Sequence, residues 1–153
     1  MRNLTHAEMI MRWPKLTLDN YRTTSQATAR YNCLAFVNGD ERHWWDLDHG
    51  GRYFWPDSIP KDWTKSSFMK LFISNGYVTG SSHTHENGKQ KIAIYVNLDD
   101  LQPSHVAISN GTTWKSKLGA WQDVEHDSLD VFEGDGEFDY GVVDVVLEKF
   151  HTK

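Results

Sequence analysis

The apolar positions of this chain change their spacing near the middle. Before residue 76 they recur at helical intervals or stand isolated among polar residues; after it they gather into short, near-continuous runs. The clearest helical stretch is residues 62–75, where Phe68, Leu71 and Phe72 share a stripe with Thr64 and Asn75-Gly76 supplies the stop. Residues 32–38 predict a short helix, with Asn32 as N-cap and Gly39 as its stop. Glu8-Met9-Ile10-Met11 predicts a helical turn that ends before Trp13-Pro14, because a residue preceding proline is pushed out of the helical region. Residues 16–29 are polar, with Asp19-Asn20 and a Thr/Ser run, and read as a loop or irregular arm. Residues 41–60 mix glycines, prolines, charges and rings. A loop that long in a compact domain is uncommon and often functional.

The second half reads as strands. Tyr77-Val78-Thr79 is short, and residues 81–89 form a polar turn region. Lys91-Ile92-Ala93-Ile94-Tyr95-Val96 is apolar almost throughout, as a central strand would be. Residues 104–109 predict another strand. Asn110-Gly111 is a strong hairpin signal, so residues 112–117 should pair back antiparallel. Residues 141–149, with Val142, Val143, Val145 and Val146, predict the last strand. Helices first and antiparallel strands afterwards make an α+β domain. Asp99-Asp100 reads as a strand-ending turn and residues 133–139 as a solvated, glycine-rich one.

The 153 residues suit a single domain, residues 1–153, able to bury a core without staples. A formal charge of −5 gives nucleic-acid binding no electrostatic support. One cysteine excludes an intrachain disulfide framework. The N-terminal residues hold no apolar run of signal-peptide length, and no stretch approaches the roughly 20 apolar residues that span a bilayer. The expectation is a cytoplasmic protein without membrane contact; export by a leaderless route leaves no trace in a sequence. Seven tryptophans are unusual, and four of them, Trp44, Trp45, Trp55 and Trp63, lie close together. They predict either a ring-rich core or the wall of a cleft, with Trp44, Trp45 and Trp55 as candidate substrate contacts.

The chemistry centres on Cys33, in Tyr31-Asn32-Cys33-Leu34-Ala35-Phe36-Val37. A thiol at the first turn of a helix meets N–H groups that favour the thiolate. His105, in Ser104-His105-Val106-Ala107-Ile108, opens a strand and is the candidate base. The group that orients the imidazole is sought on the hairpin partner strand, which offers Ser116 and Lys117, or in Asp123-Val124-Glu125-His126. There Asp123 is preferred, and His126 could fill the same place. The backbone N–H of Cys33 with Tyr31, Asn32 or the more distant Gln26 would form the oxyanion hole. His83-x-His85 beside Glu86 is the one metal-like spacing, but no third ligand is specified and no metal is expected. No phosphate loop, nucleotide fingerprint or serine elbow occurs, so no cofactor is expected.

Asn32-Cys33-Leu34-Ala35-Phe36-Val37 resembles the Asp-Cys-Ser-Gly-Leu-Val type of motif of NlpC-like cell-wall amidases, which belong with the papain-like cysteine peptidases. His105-Val106-Ala107-Ile108 resembles their His-Val-Gly-Ile strand. Ser116 would stand where the papain strand carries its orienting asparagine. The resemblance implies a Cys-bearing helix packed on an antiparallel sheet and hydrolysis of a peptide or other amide through a thioester. It departs at Asn32, an aspartate in those amidases, and at Leu34-Ala35, where they carry Ser-Gly. A closer resemblance, spanning most of the chain, is to a bacterial family of about this length with no function to carry over; it runs through Tyr31-Asn32-Cys33, Gly39-Asp40, Trp44-Trp45, Tyr53-Phe54-Trp55-Pro56, Ser104-His105-Val106-Ala107, Trp114-x-Ser116-Lys117-Leu118-Gly119, Asp123-Val124-Glu125-His126, Glu133-Gly134 and Tyr140-Gly141. A non-enzymatic module that offers its Trp-rich loop to a partner protein is the rival expectation. Oligomeric state is not set by the sequence.

Overall fold

The computed structural model describes residues 2–47 and 52–150. Gly50 and Gly51, which the long-loop reading used, lie outside them. The first helix, α1 (His6–Arg12), starts earlier than the apolar pattern suggests because Thr5 caps it. Thr5 accepts the Glu8 N–H, and the Glu8 carboxylate accepts the Thr5 N–H, a reciprocal capping box. Helix α2 (Cys33–Val37) is a turn and a half, capped by the Asn32 side chain on Ala35 N–H at 3.1 Å. Helix α3 (Lys65–Ser74) is capped by Thr64, so Asp62 and Trp63 fall outside it. Asp62 instead accepts hydrogen bonds from the Thr64 and Ser67 hydroxyls.

The strands are β1 (Tyr21–Ser25), β2 (Val78–Thr79), β3 (Lys89–Val96), β4 (Pro103–Ser109), β5 (Trp114–Lys117), β6 (Asp123–His126) and β7 (Val142–Phe150). They form one antiparallel sheet in the order β1-β6-β5-β4-β3-β7-β2. With the helices this is an α+β architecture. β3 is central, flanked by β4 and β7. Two strands are additions to the sequence reading. β1 lies within the stretch read as a loop; only Tyr21 in it is buried, so it carries no apolar alternation. β6 is four residues long, and its partner β1 lies far away in sequence. A 3-10 turn, Leu129–Phe132, follows β6.

Both faces of the sheet are covered, which accounts for the near-continuous apolarity of β3. Tyr95, Ala93, Ala107, Trp114 and Val124 point to one face, with Met9, Trp13 and Phe132. Ile92, Ile94, Val96, Val106 and Leu147 point to the other, under Leu34 and Ala35 of α2 and Phe68, Leu71 and Phe72 of α3. The alternation is the period-2 rule of a strand: Ile94 pairs with Val106 on the helix face, Tyr95 with His105 on the opposite one.

Candidate functional site

Asn32 links the head of α2 to the tryptophan-rich segment. Its amide donates to the Trp45 carbonyl at 2.7 Å, while its oxygen accepts from Ala35 N–H and Trp45 N–H. Both ends of this side chain are used in holding the backbone, which places it in structure rather than at a substrate. Cys33 follows directly. It is partly open to solvent and packs against the helix-face cluster. Protein atoms nonetheless crowd the sulfur. Burial pushes the thiol up from its usual range, opposed by the N–H groups of Val106 and Leu34, by Lys117 and by its own N–H. The expected depression by helix position is therefore corrected: α2 is too short for its N-terminal field to outweigh desolvation.

The nearest charged chemistry is on the same face. Backbone pairing between β4 and β5 covers only Ile108↔Lys115 and Ser109↔Trp114. Two residues on from Lys115, Lys117 is fully buried. Its ammonium donates to the Thr28 carbonyl at 2.9 Å and to the Gly119 carbonyl, and stands 5.0 Å from the centre of the Tyr31 ring. Among the described residues no carboxylate lies within ion-pair distance of it. Burial lowers its pKa to about 8, opposed by the charges of Asp123 and Cys33. Asp123 does not orient an imidazole. Its two oxygens, each 3.1 Å from Tyr31 Oη, share that hydroxyl, and the Ser25 hydroxyl donates to one of them. Tyr31 is itself raised by burial.

The histidines gather elsewhere. His105 Nε2 lies 2.9 Å from Ser116 Oγ, which lies 2.8 Å from His126 Nε2; His126 Nδ1 bonds the Ser128 carbonyl at 2.9 Å. The His105 ring stacks on Tyr140 with centroids 4.1 Å apart and touches the Tyr95 and Phe132 rings, all residues of the opposite face. Both imidazoles are buried, and burial lowers both pKa values, His126 to about 4. The His126 charge lowers His105 further. The structure thus joins His105, Ser116 and His126 in one hydrogen-bonded chain, and puts Cys33, Tyr31 and Asp123 across the sheet from it. Ser116, a candidate for contact with substrate, is fully buried between two rings.

The tryptophans pack inward. Trp45 is buried against Phe54 and donates to Asp40 at 2.8 Å. Trp55 packs on Trp63 and donates to the Ile59 and Pro60 carbonyls. Trp63 donates to the Pro103 carbonyl at 2.9 Å and meets Phe68 edge-on. Trp44 is half-buried. The rings of Trp45, Trp55 and Trp63 are taken up in contacts and hydrogen bonds that brace the described part of the loop. An open hollow of about 430 Å³ is lined by Gln26, Ala27, Thr28, Arg30, Tyr31 and Glu41. Among the described residues, no three metal-ligating side chains are grouped to hold an ion, His83 and His85 included, and no helix is long and apolar enough to cross a membrane. Ser25 is the member of the Cys33 cluster that the sequence does not point to, and Lys117, offered by the sequence as a group to orient the imidazole, stands on the thiol's face instead. The signal for Lys117 was its place two residues past Lys115 on a short strand: period 2 puts the two side chains on one face.

The family model described as a domain of unknown function, DUF7689, matches residues 22–148. That span takes in the Cys33 cluster, the histidine chain and most of β1 and β7. No curated protein and no solved structure matches the chain.

Proposed function

We propose that this chain, which belongs to the DUF7689 family, is a thiol-dependent hydrolase of an amide or related acyl bond with Cys33 as its nucleophile. The observation that carries this reading is the company Cys33 keeps: a partly exposed thiol on the sheet face that also holds a fully buried lysine, a phenol and a carboxylate. A structural thiol needs only apolar neighbours, whereas an acyl-transferring one needs ionisable groups beside it. Sγ would attack the carbonyl carbon and form a thioester as the amine departs. Water would then cleave the thioester, releasing the acid and restoring the thiol. The layout is papain-like, and NlpC-like in particular, in setting a Cys-bearing helix on an antiparallel sheet against the His-Val-Ala-Ile strand. It differs in turning the imidazole to the far face. The hollow beside Tyr31, with Arg30 and Glu41 supplying both charges, suits a peptide-like substrate. The partner-binding alternative loses its main support, because three of the four clustered indoles are committed to internal hydrogen bonds.

The test is acylation by an activated ester. After incubation with p-nitrophenyl acetate, peptide mapping should find an acetyl group on Cys33, with a matching burst of p-nitrophenolate that Cys33→Ala abolishes. If wild type carries no adduct and releases phenolate no faster than Cys33→Ala, Cys33 is not a nucleophile.

A further inference from the structure

We infer that Lys117 is the base for Cys33, accepting the thiol proton and balancing the thiolate where an imidazole would have been expected. The inference rests on the reading of Cys33 as nucleophile. Three observations carry it. The first is position. Ile108 and Lys115 are opposite one another, so Val106 and Lys117, each two residues farther along, are on the same face of β4 and β5. Helix α2 lies on both strands, and its first residue is Cys33. The Tyr31 ring, two residues before the thiol, lies 5.0 Å from the Lys117 nitrogen.

The second is the state of the ammonium. Lys117 is fully buried, yet its hydrogen-bond partners, the Thr28 and Gly119 carbonyls, are both neutral. A buried cation without a counterion is costly, and relieves that cost by giving up its proton or by acquiring an anion. Two carbonyls leave one of its three N–H groups for that anion. The Asp123 carboxylate lies close enough to favour the charge but is held by Tyr31 and Ser25. The third is the engagement of the alternative base. The His105 ring is stacked on Tyr140 across the sheet, with Nε2 committed to Ser116. The charged and titratable groups that bear on the thiol are therefore Lys117 and, through its field, Tyr140, while Asp123 and the Tyr31 ring bear on Lys117.

In the step this implies, the neutral amine of Lys117 takes the proton from Sγ while the Sγ–carbon bond forms and the carbonyl electron pair moves to oxygen. When the tetrahedral adduct collapses, the ammonium returns the proton to the departing amine. Water enters by the same exchange in deacylation, with the proton passing to Lys117 and back to sulfur. The lowered pKa of Lys117 suits both directions near neutral pH.

The experiment follows the rate of iodoacetamide alkylation of Cys33 against pH in wild type, Lys117→Met and His105→Asn. The expected result is a loss of about tenfold or more at pH 7.5 in Lys117→Met, with the alkaline limb moved upward by about one unit, and a profile near wild type in His105→Asn. A Lys117→Met profile equal to wild type, or an equal loss in His105→Asn, overturns the assignment. Should Lys117→Met not fold, NMR titration of the Lys117 side chain decides. Reciprocity requires its pKa to fall in Cys33→Ala, because the thiolate that favours the ammonium is gone; an unmoved titration rejects the coupling. The two readings fail separately. Acetylation of wild-type Cys33 with no Lys117 effect removes only the lysine. A Lys117-dependent alkylation limb without acetylation removes the hydrolase.

Discussion

Gly141→Ala is expected to destabilise the domain by about 3 kcal/mol or more, a large fraction of the stability of an ordinary protein. Gly141 has φ of +80°, a region that disfavours any residue with a Cβ. A Cβ there would lie 1.9 Å from the Val96 carbonyl oxygen and 3.2 Å from Asn97 Cα. Both are backbone atoms, so no rotamer change relieves the contact. The next residue, Val142, pairs with Val96 to start the long β3–β7 ladder, which would have to shift to make room. Gly39→Ala is the matched control. Its φ is +76°, with nothing within 4 Å of the added methyl group, so it should cost only the conformational preference, about 1–2 kcal/mol. Urea midpoints of the two variants separate clash from conformation. Equal losses would mean that the Val96 contact relaxes freely.

Acidification from pH 7 to 5 should remove about 2 kcal/mol of stability through His126, with a further loss in the same direction through His105. The sign follows from burial. Both rings are neutral in the fold, with folded pKa values below the unfolded one, so the unfolded chain binds more protons as pH falls. The contribution is complete above the unfolded value of 6.5. For His126 it is lost as pH falls toward about 4, and for His105 the loss continues lower. The carboxylates held low by hydrogen bonds and ion pairs, Glu8, Asp40, Asp62 and Glu86, lose their contributions only as pH falls below their ordinary pKa values, so the interval from pH 7 to 5 isolates the histidines. The check is chemical denaturation across that interval for wild type and His126→Gln, which removes the proton site. Wild type should weaken steeply and the variant less so. A wild-type stability that stays flat would show that the rings are already charged, or reach water, in the fold.

These two expectations also mark what each level of description supplied. Local rules carry a long way here. The Asn32 cap, the α3 stripe of Phe68, Leu71 and Phe72 with its stop at Asn75, the Asn110-Gly111 hairpin and the apolar runs of β3, β4 and β7 were all legible, because each depends on neighbours within a few residues; the Thr64 cap that starts α3 was not. The α+β order followed from them. β1 and β6 were not legible. β1 pairs only with β6, about a hundred residues away, and four of its five residues are exposed; β6 is four residues long and lies between β1 and β5.

The candidate site divides along the same line. The sequence by itself determined the identity of the candidate groups, a lone thiol behind a capping asparagine, two histidines, Ser116, Lys117 and Asp123, and put His105 next to Val106 on a strand, where period 2 sends them to opposite faces. Only the tertiary structure decided which face α2 would cover. It packs Leu34 and Ala35 over Val106, and that choice puts Lys117 beside Cys33 and the imidazole chain across the sheet. The physical reason is that alternation along a strand is a local property. The face a helix covers is settled by burial of apolar surface summed over the whole domain, and no short window of sequence contains that sum.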